Sequence, residues 1–389
     1  MVGGLLTAAL ATFILVVPVL SGPGQHPAAP LASQGLSSAL STVVEEPSPR
    51  QSAVVLSVEE RRAAAAPESS VAAPPVDAGT AVAAPQRRNP GAGPTACDGP
   101  GRTVVRPHAA GAVLSAQWKQ SAAPADVTYD LTGVVSTAFP STQYPFSAGT
   151  TTPGERTCLV GGELRGTIDP SRSWEWFHDE ANAACVKVVA LEWMQIHGTR
   201  CDGVEDGFRP QEGEPNSNRT RFTISGTYLS NVADDCLEND YILGGLLQDN
   251  LWESCFTGLS ERPSGDRSWK PPADETLVLD RMLIGLRSMP HDSDKGTGPN
   301  ALFKWSSSAN KVVIKCSVFY VPAVSVNNTD TMAIPAGTVV DDSACPGNPT
   351  TIVWTGGGAY PAPTAGIRVV SDKGVWDRAV ADWKTAHGY

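Results

Sequence analysis

Positive charge is scarce in this sequence. Its 389 residues carry 29 Lys and Arg against 40 Asp and Glu, a formal net charge of −11. Bulk attraction to a polyanion is thereby excluded, and nucleic acid is not an expected partner. A polyanionic substrate would need a local basic site, for which Arg209, Arg262, Lys304 and Lys315 are the candidates. The C-x2-C pairs of a structural zinc site are missing as well. So are a phosphate-cradling glycine loop, a nucleotide fingerprint and a Ser/His/Asp arrangement. His178 and His197 stand alone, without a partner at ligand spacing. No amphipathic helix of useful length separates the apolar runs, which argues against βαβ units.

The longest apolar run is at the start. Met1–Gly22 is uncharged and is apolar from Leu5 to Leu20. That is shorter than the roughly 20 residues of a comfortable membrane span and suits a secretory signal. With no Lys or Arg ahead of it and no clean small-residue cleavage site behind it, an uncleaved membrane anchor is the other reading. Residues 23–95 are rich in Ala, Pro, Ser and Gly and poor in aromatics. Such a segment cannot bury enough apolar surface to offset its ordering entropy, so a disordered linker is expected. Residues 96–389 are then the folded part, secreted or held at the surface through residues 1–22.

What fills the folded part is a series of short apolar runs. Val127–Val135, Cys158–Gly166, Phe222–Leu229, Leu246–Trp252, Leu277–Leu286 and Lys311–Val321 are rich in Val, Ile, Leu and Tyr. Clusters of Gly, Asn, Asp and Ser divide them, so each is read as strand. Only Ser371–Trp383 has helical spacing, with Trp376, Val380 and Trp383 on one face, and it is read as a terminal cap.

These runs repeat. Adding 33 carries Leu191 onto Ile224, Asp202 onto Asp235 and Glu205 onto Glu238; adding 19 carries Cys236 onto Cys255. Residues 207–220 read as an inserted loop, which reduces both steps to a coil of about 20 residues. One coil of short strands cannot bury its own apolar face, whereas stacked coils can. The fold class expected is therefore all-β, a parallel β-helix preceded by the linker.

All eight cysteines, Cys97, Cys158, Cys185, Cys201, Cys236, Cys255, Cys316 and Cys345, lie beyond the linker. An even count in an exported chain suggests disulfides, and eight cysteines allow 105 pairings. On adjacent coils about 4.8 Å apart, Cys236 and Cys255 are within bridging range. Packing as small apolar residues is the alternative for that pair.

Asn- and Gly-marked turns, Asp202-Gly203-Val204 and Asp234-Asp235-Cys236 resemble the right-handed parallel β-helix proteins of the pectin-lyase-like class. Within that class the acids resemble those of the polygalacturonase family. Arg200-Cys201-Asp202 stands where its first motif would be and matches at the aspartate, Asp234-Asp235-Cys236 matches its second, and its Gly-His-Gly and Arg-Ile-Lys motifs are lacking. The resemblance implies Asp234 as general acid, with Asp202 and Asp235 positioning the attacking water.

The residues support related chemistry on their own account. Glycoside hydrolysis needs a carboxylic acid and a carboxylate, and like charges held close push their pKa values apart. The expected function is an inverting glycoside hydrolase acting on an extracellular polysaccharide or cell-surface glycan. Asp202, Asp234 and Asp235 are its expected catalytic residues, and Arg209, Glu205, Glu238, Arg262 and Trp252 its expected substrate-binding ones. Trp174 and Trp176 are further surfaces for stacking on sugar rings. The alternatives are a non-catalytic carbohydrate-binding or adhesion module, whose aspartates only form turns, and a polysaccharide lyase. No cofactor or metal is expected, apart from a Ca2+ ion as one reading of stacked aspartates.

Overall fold

The computed structural model describes residues 97, 101–140, 144–214, 220–263, 275–291, 295–327 and 329–389. The expected signal segment 1–22 and linker 23–95 lie outside the described residues. Among the described residues strand makes up 50% and helix 9%, an all-β composition. The expected run Val127–Val135 becomes Asp126–Ser136, and Cys158–Gly166 becomes Gly154–Leu164. Leu277–Leu286 and Lys311–Val321 each divide into two strands, at Arg281–Met282 and Cys316–Ser317.

Apart from one small antiparallel pair, Met289–Pro290 with Thr297–Gly298, the ladders are parallel and fall into three columns. The first runs from Thr103–Val105 through the pairs Leu159 with Ile196, Ile224 with Leu247 and Leu279 with Ile314. A second climbs through Arg200–Val204, Tyr228–Val232, Leu251–Cys255, Leu283–Leu286, Val318–Val321 and Thr351–Trp354. A third joins Trp118–Ala122, Phe146–Thr152, Ala184–Ala190, Asp206–Glu212 and the ends of Tyr228–Glu238 and Leu251–Glu261, finishing on Ala301–Trp305. The chain visits the columns in turn and then climbs one level, a pattern compatible with a β-helix.

Side chains inside the columns stack like on like. Leu159, Ile196, Ile224, Leu247, Leu279 and Ile314 form one continuous aliphatic column, each fully buried. Burying such a side chain is worth about 1.5–3 kcal/mol, so the stack sets the register. That register differs from the expected one. Ile196 pairs with Ile224 and Asp202 with Ser230, an offset of 28, where 33 was expected. Val232 pairs with Cys255, an offset of 23, where 19 was expected. Asp202 therefore does not lie beneath Asp235, nor Glu205 beneath Glu238. Alternating apolar residues match themselves at several shifts, and only side-chain stacking in the interior chooses among them.

A second repeat marks the turn between the first and second columns. Gly198, Gly226, Asp249, Arg281 and Cys316 occupy it in successive coils, each with φ between 51° and 65°. This left-handed turn lets the Gly198, Gly226, Asp249 and Arg281 amides donate to the next coil at 2.9–3.2 Å. Glycine gives way to Asp249, Arg281 and Cys316 in the later levels, which hid the repeat.

Two helices decorate the columns. α1 (Trp174–Glu180) is capped by Ser173, whose side chain accepts from the Trp176 amide. It packs Trp174, Trp176 and Phe177 against Ala233, Phe256 and Met289. α2 (Gly374–His387) buries Trp376, Val380 and Trp383 as its spacing indicated. They pack on Tyr228, Leu251, Leu283 and Val353, along the side of the second column rather than across a coil end.

Four disulfides close the chain: Cys97–Cys158, Cys185–Cys201, Cys236–Cys255 and Cys316–Cys345. They fit an oxidising compartment. The Cys236–Cys255 bond is diagonal, since Cys255 stacks on Val232. Among the described residues no helix is long and apolar enough to cross a membrane.

Candidate functional site

The site grows from a kink in the strand Tyr228–Glu238. Asn231 takes φ 52°, and the register against Leu251–Glu261 shifts between Val232 and Asp235. A regular strand would send Asp234 and Asp235 to opposite faces. At this bulge both carboxylates meet one cation, with Lys304 Nζ 3.1 Å from Asp235 Oδ2 and 4.0 Å from Asp234 Oδ1. One coil below, Glu205 and Asp206 sit under them. The Asp234 amide donates to the Glu205 carbonyl at 2.7 Å, and the Asp235 amide donates to Asp206 Oδ1 at 3.1 Å.

All four acids are buried. Taking a carboxylate out of water favours its neutral form, and neighbouring carboxylates add to the effect. Burial, with Asp206 and Asp234 beside it, pushes Glu205 up to about 10. Burial lifts Asp206 to about 6 against the pull of Arg209. Asp234 is raised well above the ordinary carboxylate range by burial and by Asp235. Lys304 is raised in turn, because Asp235 and Asp234 outweigh its own burial, so it keeps its proton.

Asp234 also lines a cavity of about 350 Å³ between α1 and the third column, together with Trp174, Phe256, Arg262, His291, Asn300 and Lys304. Lys295, Asn327 and Thr331 complete the wall. Arg262 and Lys304, two of the four basic candidates, thus converge, and Lys295 joins them. Lys315 pairs elsewhere, with Asp341 at 3.7 Å. His291 is held through Nδ1 by Glu175 at 2.9 Å, and its buried Nε2 has no hydrogen-bond partner.

The other expected residues lie apart from the cavity lining. Asp202 accepts from Ser230 Oγ and from Asn231 Nδ2, each at 2.8 Å, which makes it the brace of the kink. Arg209 forms an ion pair with Glu238, lies 3.5 Å from Asp206 and donates to the Tyr144 hydroxyl at 2.9 Å. Both partners are therefore occupied within the protein. Trp252 is 0% exposed, packs on Phe208 and donates to Thr227 Oγ1 at 3.1 Å; it is a core residue and meets no solvent-borne sugar.

Sequence reasoning missed Asp206, Lys295 and the pairing of His291 with Glu175. Nothing in their spacing marks them, since 116 residues separate that last pair. A larger cavity, about 460 Å³, opens at the turn between the first and second columns and contains none of the four acids. The glycines that line it, Gly161, Gly198 and Gly226 among them, are accounted for by the left-handed turn. Comparison of the chain with protein-family models, with curated proteins and with solved structures gives no match.

Proposed function

We propose that the chain is an exported carbohydrate-active protein, wound as a right-handed parallel β-helix of the pectin-lyase-like kind. In this reading it takes part of an extracellular polysaccharide or cell-surface glycan into the α1 cavity. The observation that carries the reading is the composition of that cavity. Its lining combines the aromatic ring of Trp174 with Arg262, Lys304, Asn300 and the carboxyl of Asp234. Apolar ring faces beside several directional polar groups suit a sugar, which is apolar above and below its ring and polar around its edge. Arg262 and Lys295, the cations of the lining that stand outside the acid cluster, favour a glycan that carries anionic groups.

Hydrolysis is the second reading, and the placement of Asp234 favours it. A neutral carboxyl at a cavity edge is where a proton donor to a leaving oxygen belongs. The inverting pair expected from the sequence has a different geometry. Inversion needs carboxyls about 6.5–9.5 Å apart, whereas donor oxygens of Asp206, Asp234 and Asp235 lie within 4.8 Å of one another. If the chain cleaves, the base that the cavity offers is His291, oriented by Glu175.

The deciding experiment measures both pull-down and reducing-sugar release on a panel of neutral and acidic polysaccharides. Wild type is compared with Trp174→Ala and Asp234→Asn. Retention that Trp174→Ala abolishes, without release, establishes binding. Release that Asp234→Asn abolishes establishes hydrolysis. Neither retention nor release on any substrate sinks both readings.

A further inference from the structure

The acid cluster contains more negative charge than its neighbours balance. Glu205, Asp206, Asp234 and Asp235 are all buried, and Lys304 is the cation in contact with Asp234 and Asp235. Arg209 approaches Asp206 at 3.5 Å but is also closed on Glu238. Buried carboxylates in this number need protons or a further cation.

One corner of the cluster has the geometry for a cation. Donor atoms of His178, Glu205 and Asp234 lie within 4.8 Å of one another. His178 Nδ1 is 3.0 Å from Glu205 Oε1. Two donors each about 2.1 Å from one metal ion are separated by roughly 3.0–3.4 Å, from octahedral to tetrahedral angles, so a small opening of this contact admits an ion. Glu205 is 2% exposed, and its other oxygen, Oε2, is buried without any hydrogen-bond partner. An acceptor left bare inside a protein is costly unless something else satisfies it.

The surroundings favour coordination. Trp174 stacks on the His178 imidazole at 4.8 Å and 15°, which fixes the plane of the ring. The His178 side chain is 47% exposed, so an ion has a path in from solvent. The hydrogen bond from the Asp234 amide to the Glu205 carbonyl holds those two residues on adjacent levels. The all-oxygen triad of Asp206, Asp234 and Asp235 is less available, since Lys304 and the Asp235 amide already engage it.

We infer that His178, Glu205 and Asp234 form a site for one divalent cation of the zinc or manganese class, its remaining positions held by water. One imidazole nitrogen with carboxylate oxygens suits borderline first-row ions better than Ca2+, which prefers oxygen alone. α1 is what creates the site, because it brings His178 over the acids of the third column. The proposal does not depend on glycan binding, and with the ion bound Asp234 is ionised and is not the proton donor of the hydrolysis reading.

The full chain, stripped of metal, is titrated calorimetrically with Zn2+ and separately with Mn2+, without any saccharide. The expected result is one ion per chain, with Tm rising as the ion is added. His178→Ala, at a half-exposed helix position that leaves the core intact, lowers affinity for both ions at least tenfold. Glu205→Gln does the same, while Asp341→Asn, at an exposed ion pair with Lys315, binds as wild type. Absence of stoichiometric binding overturns the proposal. So does binding that His178→Ala leaves unchanged, or a preference for Ca2+ over both ions.

Discussion

The backbone amide of Asp235 donates to the side chain of Asp206 one coil below, at 3.1 Å. That bond spans the bulge that brings Asp234 and Asp235 to the same lysine. Asp206→Asn keeps an acceptor there, whereas Asp206→Ala leaves a buried N–H unpaired, at a cost of about 1–3 kcal/mol. Denaturant midpoints are expected to place the alanine variant below the asparagine variant by that amount. Equal midpoints would show that the bond does not hold the bulge.

Glu261 lies deep in the corner between the third and first columns. It accepts from Asn239 Nδ2 at 2.7 Å, from the Asn310 amide at 2.9 Å and from Asn310 Nδ2 at 3.0 Å. Burial nevertheless holds its carboxyl at about 8, against an ordinary value of 4.5. The folded state therefore binds this proton more tightly than the unfolded chain does. Its contribution to stability is complete below about pH 4.5 and is lost as pH rises through about 8, roughly 5 kcal/mol across that window. Guanidinium unfolding at pH 5 and pH 8.5 should show this fall. Glu261→Gln, which cannot ionise, should remove this share of the fall and leave the part due to Glu205, Asp206 and Asp234.

Trp174 and Trp252 provide a paired test of where the site lies. Trp252→Ala opens a hole in the core and is expected to cost about 3–5 kcal/mol, with glycan retention per folded molecule unchanged. Trp174→Ala should lower retention much more than stability. The opposite pattern would remove the α1 cavity as the binding site.

The Cys236–Cys255 bond closes a loop with a sequence separation of 19. Loop-closure entropy puts its worth at about 3 kcal/mol. Replacing both cysteines by alanine should lower the unfolding free energy by about that amount, read by equilibrium unfolding without reductant. An unchanged value would mean that the bulge is held without the disulfide.

Strand character was legible because it is a local property. Val, Ile, Leu and Tyr recur at alternate positions between turn residues, and the runs around Val127, Cys158, Leu277 and Val312 all became strand. The face of α2 was legible for the same reason, since Trp376, Val380 and Trp383 follow the helical period. Asp234 and Asp235 were singled out as a pair, and the structure does bring them together on Lys304, with Asp234 lining the cavity. Trp252 misled because an aromatic in an alternating run has the same spacing whether it stacks inside or faces a ligand.

The amino-acid sequence by itself determined an all-β chain of short strands, its turns, an even set of cysteines and the adjacent acids Asp234 and Asp235. Only the tertiary structure decided the register, which moved Glu205 beneath Asp234 and Asp206 beneath Asp235. The physical reason is degeneracy. A period-two pattern matches itself at many shifts, and the shift is chosen by side chains from different coils stacking in one interior column, from Leu159 to Ile314. The same packing sets α1 over the third column and so brings His178 to Glu205, a contact between residues 27 apart that no local pattern encodes.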